Sequence, residues 1–312
     1  MFRIWIQTAE FLTFFLLGFA LSNHHMNSIP TPSDEAARRA YWAEQMQLGY
    51  DFVQKILPFE VRECGEGFAS LPDAARAAGV EMLFSTTKIA GGLDRVFYMR
   101  ESLVRDVVKV GRDMNARGWI LKIEDAFRSL EMQGQLVRKP EVFAAIVRKC
   151  IWENGGTLPP VEMVARRALV LVANIPKIGT HMSGSAIDVS VFRRDDGTEV
   201  WRGFPYLEMS ENTPMRSPFI TPDALRNRLE ITAMVEAHGF IHFPFEFWHF
   251  NKDDAMGHLL RDRPAPARFG PVHWDPATNR VTAVTDPLTW LNPLPVMERE
   301  IAAAMERARR QA

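Results

Sequence analysis

Gly179-Thr180-His181-Met182-Ser183-Gly184-Ser185-Ala186-Ile187-Asp188-Val189-Ser190-Val191-Phe192 is the stretch from which the fold is read. From Ser185 to Phe192 the residues alternate, with Ile187, Val189 and Val191 facing one way and Ala186, Asp188 and Ser190 the other. That period of two marks a β-strand. Gly184 permits a tight turn just before it. His181 lies in the preceding loop, so the strand brings a carboxylate up beside an imidazole.

Helices and strands alternate irregularly around this strand from about 60 to 262. Arg100 to Arg117 reads as a helix, with Leu103, Val107 and Met114 on one face and Gly118 where a C′ glycine belongs. Trp119 to Glu124 follows as a short strand. Pro140 to Trp152 and Pro160 to Ala173 read as helices, each with proline near its first position. Thr221 and Pro222 open another helix, carrying Leu225, Leu229 and Ala233 and closed by Gly239, and Phe240 to Phe250 is aromatic-rich and extended. These elements describe an α+β fold.

The 312 residues divide into four parts. Residues 1–25 hold an apolar run of 11 residues, Phe11 to Leu21, too short to span a bilayer as a helix. It fits the core of a signal peptide or an apolar N-terminal segment. The first reading places the protein in the periplasm or outside the cell, the second in the cytoplasm. Residues 26–59 form a helical arm capped at Ser33, with Tyr41, Met46, Leu48 and Phe52 as its apolar content. Residues 60–262 are expected to form the central α+β domain, which holds the stretch quoted above. Residues 263–312 combine a proline-rich, irregular wrap with a charged helix from Val296 to Arg310.

Composition excludes several classes. Apolar residues are 47% and charged residues 24% of the chain, as in globular proteins. Thirty-seven Lys and Arg against 38 Asp and Glu leave a net charge of -1, so the long-range attraction used by a nucleic-acid binder is absent. Cys64 and Cys150 allow at most one bridge and are expected to be buried thiols. There is no P-loop, dinucleotide-binding glycine pattern, HExxH or GxSxG.

The chemistry then falls to histidines and carboxylates. His181 and Asp188 suit a Zn²⁺ ion, which accepts nitrogen and oxygen donors. Taken alone, the pair also fits a surface histidine and an aspartate capping a turn. Phe245-Glu246-Phe247-Trp248-His249-Phe250 sets a glutamate and a histidine among aromatics. Residues three apart on a regular strand point to opposite faces, so Glu246 and His249 share a site only if the strand is disrupted near Pro244. Together the segments supply three ligands, His181, Asp188 and His249, as a catalytic zinc requires, with Glu246 spare as general base. Arg128, in Glu124-Asp125-Ala126-Phe127-Arg128, could stabilise an oxyanion or simply pair on the surface. His24, His25, His238, His242, His258 and His273 have no ligand partner in sequence.

The HxxGxAxD pattern from His181 to Asp188, followed by ExWH from Glu246 to His249, resembles the zinc D-alanyl-D-alanine dipeptidases of the vancomycin-resistance type. The likeness runs from about Phe97 to Phe250, and Asp-Ala-Phe-Arg at 125–128 is similar to that family's Asp-x-Tyr-Arg. It implies a compact α+β domain with a central antiparallel sheet flanked by helices and one zinc per chain. His181, Asp188 and His249 are then the ligands, Glu246 the base and Arg128 the transition-state stabiliser. The implied substrate is D-Ala-D-Ala as the free dipeptide. A D,D-carboxypeptidase or another dipeptidase acting on peptidoglycan fragments, and a noncatalytic zinc-binding module, are the other readings. Gly179 replaces the family's serine, and Leu207 stands where an aspartate receives the substrate ammonium. Glu208 and Asp125 are the remaining candidate substrate contacts. No nucleic acid and no stable membrane span are expected, and the oligomeric state is open.

Overall fold

A computed structural model describes residues 34–89 and 92–311. The N-terminal apolar segment, residues 1–25, and the Ser33 cap lie outside them. Asp34 caps the arm helix α1 (Glu35–Ile56), its Oδ1 accepting the Ala37 N–H at 3.1 Å. The buried face of α1 is Trp42, Met46, Gly49, Val53 and Ile56. Of the apolar residues read from the sequence, Met46 is buried, Tyr41 and Phe52 are half-buried and Leu48 is exposed.

After α1 come β1 (Phe68–Ser70), α2 (Leu71–Ala77), β2 (Met82–Phe84) and β3 (Tyr98–Arg100). Then follow α3 (Glu101–Ala116), β4 (Trp119–Asp125), α4 (Leu130–Val137), α5 (Pro140–Glu153) and α6 (Val161–Leu171). Two short 3₁₀ turns, Pro176–Ile178 and Thr180–Ser183, lead into β5 (Ala186–Arg193). The chain continues through α7 (Pro222–Glu236), β6 (Ile241–His242), β7 (His249–Asn251) and α8 (Ala255–Leu260), and ends with β8 (Val272–Asp275), β9 (Arg280–Ala283) and α9 (Leu294–Gln311).

The main sheet has the order β2-β4-β5-β7-β6. It is mixed, which corrects the antiparallel expectation: β2 lies parallel to β4, pairing Met82 with Leu121 and Phe84 with Ile123. The connection from β2 to β4 passes through α3, and a crossover helix brings the chain back in the same direction. The other three pairings are antiparallel. The main core lies between this sheet, α3 and α7, where Val107, Met114, Leu121, Val189, Ile231 and Phe250 are buried together. Because β5 is central, both of its faces are covered and Asp188 is buried.

Three further expectations are corrected. The buried face of α7 is Ala224, Arg228, Ile231, Thr232 and Val235, while Ala233 is exposed. A buried arginine does not announce itself as apolar periodicity, so Leu225, Leu229 and Ala233 do not mark the buried face. Cys150 is buried, but Cys64 is exposed and both thiols are free. The wrap after 263 contains a hairpin, β8–β9, whose Trp274 ring stacks on Phe68 at 4.9 Å and meets Phe127 edge-on at 5.6 Å. Helix α9 packs on α5 and α6 through Met297, Ile301 and Met305. No described helix is long and apolar enough to cross a membrane.

Candidate active site

Three strands and two turns meet at the site. On β5, Asp188 pairs with Asp125 of β4 on one side and His249 of β7 on the other. The β4–β5 register shifts between Ile123 and Asp125, a bulge that sets Asp125 rather than Glu124 opposite Asp188. The 3₁₀ turn before β5 carries His181 and ends at Gly184, which has φ of +70°. A Cβ at Gly184 would collide with the Phe68 ring, so both backbone angle and space call for glycine.

Arg100 holds that turn from beneath. It is fully buried, donating from Nε to the Ser183 carbonyl at 2.6 Å and from Nη2 to Glu63 Oε2 at 2.8 Å. Its backbone N–H also donates to the Gly184 carbonyl at 3.0 Å. Its positive charge is therefore spent on fixing the loop that presents His181.

The expected disruption near Pro244 is present. The Glu246 N–H donates to the Phe243 carbonyl at 3.2 Å, and the His249 N–H to the Glu246 carbonyl at 3.2 Å. These turns place Glu246 on the same side as His249. Phe247 anchors the segment, with the Arg202 and Arg228 guanidiniums 4.8 and 3.9 Å from its ring centre. Both arginines are buried, and burial lowers Arg202 to about 10 and Arg228 to about 9. Arg228 is held by main-chain carbonyls, those of Arg202, Pro214 and Asn212, at 2.8 to 2.9 Å.

His181, Asp188 and His249 are all buried, and one ligand atom from each lies within 4.8 Å of the others. His181 Nδ1 lies 2.5 Å from the Ala126 carbonyl, which accepts its proton and leaves Nε2 facing Asp188 Oδ1 at 3.3 Å. His249 turns Nδ1 to the same oxygen at 2.9 Å, while Nε2 meets the Thr180 hydroxyl at 2.9 Å. Each ring thus keeps one nitrogen for the centre and uses the other to fix its orientation. Burial opposes the Asp188 charge, but the two imidazoles outweigh it and hold the carboxyl well below its usual range. The Tyr206 hydroxyl donates to Asp188 Oδ2 at 2.8 Å.

Glu246 Oε2 stands 3.9 Å from His249 Nδ1. Burial pushes its carboxyl up to about 7, with the negative charge of Asp188 acting in the same direction. Arg128 donates from Nε to Asp125 Oδ2 at 2.6 Å and from Nη1 to Gln133 Oε1 at 3.2 Å, while its Nη2 lies 3.8 Å from Asp188 Oδ2. Asp125 is fully buried and also faces Arg95 at 3.3 Å. Its carboxylate is therefore committed to guanidiniums.

His181, Asp188, His249, Glu246, Arg128 and Asp125 all line one cavity of about 420 Å³. Glu208 lines a smaller neighbouring cavity of about 80 Å³, while Leu207, exposed and with φ of +66°, borders both. Sequence reasoning missed Tyr206, Thr180 and Arg95. Tyr206 sits in a loop with no periodicity, and only the fold brings it to Asp188. His238 and His242 pair with Asp113 and Glu236, and His258 with the Ala265 carbonyl, away from the centre.

Residues 161–267 match a family model described as D-ala-D-ala dipeptidase. The D-alanyl-D-alanine dipeptidase of Escherichia coli (strain K12) is 32% identical over 93 residues, 30% of this chain and 48% of that protein. The enzyme of the same name from Enterococcus faecium is 27% identical over 106 residues, 34% of this chain and 48% of that protein. The chain thus spans about half the length of the curated relatives it matches. A solved LD-carboxypeptidase structure, described as revealing the basis of peptidoglycan recognition, aligns with a TM-score of 0.31 and 15% identity over 60% of this chain and 72% of that one. Asp125 and Arg128 precede the family match, and His181, Asp188, His249 and Glu246 fall inside it. Over residues 161–267 this chain is similar to the D-Ala-D-Ala dipeptidases.

Proposed function

We propose that the protein is a zinc-dependent peptidase that hydrolyses the peptide bond of D-Ala-D-Ala, in the dipeptide or in a longer peptidoglycan peptide. The observation that carries this reading is the convergence of His181, Asp188 and His249 with Glu246 beside them. Two imidazole nitrogens and one carboxylate oxygen, all buried and each oriented by a second hydrogen bond, fit a catalytic zinc with its fourth position left open. Zinc held by these three residues would supply a Lewis acid and bring the pKa of water to near 7.

The protein's own groups do the rest. Glu246 takes the proton from the attacking water and passes it to the leaving amine. A carboxyl raised to about 7 exchanges protons readily near neutral pH. Arg128 donates to the carbonyl oxygen as negative charge gathers on it. Asp125 and Gln133 hold that guanidinium in place, and Tyr206 fixes the Asp188 carboxylate.

The test is D-alanine release from D-Ala-D-Ala and from a pentapeptide ending in D-Ala-D-Ala, with L-Ala-L-Ala as control, before and after chelation. Chelator-sensitive, zinc-restored cleavage of a D,D substrate is expected. Its absence in protein shown to contain one zinc per chain refutes the reading.

A further inference from the structure

Resting on the peptidase reading, we propose that the preferred substrate is an amine-blocked peptide bearing a bulky apolar substituent on its amino end, not a free zwitterionic dipeptide. Size is the first ground. An apolar cavity of roughly 150 Å³ accommodates a benzene ring, whereas the cavity before the ligand cluster measures about 420 Å³. Two alanine residues, with single methyl side chains, leave much of it unfilled.

The character of the remaining space is the second ground. Val53 and Ile56 of α1, Val142 of α5, Leu169 and Leu171 of α6, and Phe243 line it. Val53, Ile56 and Val142 lie outside the segment shared with the dipeptidase family, so this part of the wall belongs to regions the family match does not describe.

Charge is the third. Among the described residues, the carboxylates lining the cavity are Asp125, Asp188 and Glu246. Asp125 faces two guanidiniums, Asp188 faces two imidazoles and the Tyr206 hydroxyl, and Glu246 is the base. None is left to receive an ammonium. Lys88, Arg95 and Arg128 line the same space, and Arg95 and Arg128 share the single carboxylate of Asp125. Lys88 pairs with Asp94 at 2.9 Å, so the wall offers an ammonium no uncommitted carboxylate. A blocked amine removes a charge that finds no partner here, and its substituent has an apolar surface to fill.

The experiment compares kcat/KM of the zinc-loaded full chain for D-Ala-D-Ala and for its N-acetyl, N-butanoyl and N-octanoyl derivatives. Calorimetry in parallel measures binding of N-acyl-D-alanines of the same chain lengths. Each methylene buried against the wall should raise kcat/KM and affinity about fourfold, making the octanoyl substrate at least a hundredfold better than the free dipeptide. Val142→Trp, which narrows the wall, should shrink the octanoyl-to-acetyl ratio. The chain-length series is decisive even if that variant does not fold. Cleavage of the free dipeptide as fast as the acylated series overturns the proposal, and its loss in Glu208→Gln would then assign the ammonium to Glu208. If nothing is cleaved but N-acyl-D-alanines bind with rising affinity, the peptidase reading fails and the apolar pocket stands. Absence of both cleavage and binding overturns the pocket as well.

Discussion

The cavity has two unlike walls. The sheet wall, made by β4, β5, β7 and their turns, carries the polar groups, and Arg128, His181, Asp188 and His249 on it are each fixed by a directional bond. The helical wall, made by α1, α5 and α6, is apolar and held by packing. Hydrogen bonds and ligand geometry tolerate little displacement, which suits the groups that do chemistry. Apolar contact is non-directional and scales with area, which suits recognition of shape and bulk. The difference implies that changes to the sheet wall alter turnover, while changes to the helical wall alter substrate choice.

The sharpest way to break this division is Glu246→Ala. Turnover should fall on the order of 10²–10⁴-fold while zinc content, measured on the purified protein, stays at the wild-type level. Undiminished turnover would remove Glu246 from the mechanism. Arg128→Met should cost about 10²–10³-fold in kcat, the usual loss for one oxyanion donor, with KM moving less. A loss confined to KM would make Arg128 a binding group.

Arg100→Met lowers stability without touching substrate. Removing one partner of a buried pair costs about 3–5 kcal/mol, visible as an early denaturant midpoint, and a midpoint like the wild type's would mean that the turn carrying His181 does not depend on this clamp. Tyr206→Phe should weaken zinc affinity by about 10–100-fold by freeing the Asp188 carboxylate, as read by competition with a chromogenic chelator. Equal affinity would leave Tyr206 a cavity residue only.

The smallest effect lies on the helical side. Burial opposes the charge of Glu211, but the hydrogen bond from Lys149 of α5, together with Arg38 of α1, holds its carboxyl below 4.5. A depressed folded value gives stability that is present above the unfolded pKa and lost as pH falls through the folded one. The melting-temperature gap between wild type and Glu211→Gln should therefore narrow below about pH 4.5. A constant gap down to pH 3 would exclude that linkage.

Much of the sheet wall was legible in advance. His181, Asp188, Glu246 and His249 stood out because chemistry-bearing residues sat in short patterns, and Pro244 signalled the break that puts Glu246 beside His249. The helices at 101–116, 140–153 and 222–236 were visible through periodicity and caps. The helical wall was not legible, because Val53, Ile56, Val142 and Leu171 look like ordinary core residues. Nor was the buried face of α7, since Arg228 is satisfied by carbonyls distant in sequence.

The sequence by itself determined which donors are available, their order along the chain, and the local strands and turns that carry them, because these follow from residue chemistry and short-range periodicity. Only the tertiary structure decided that β2 joins β4 in parallel and that the β4 bulge sets Asp125 against Asp188. It also decided which imidazole nitrogen faces the centre and that helices from outside the matched segment enclose a large apolar space. Those outcomes depend on contacts between residues tens to more than a hundred positions apart, whose pairing is set by burial and packing in three dimensions.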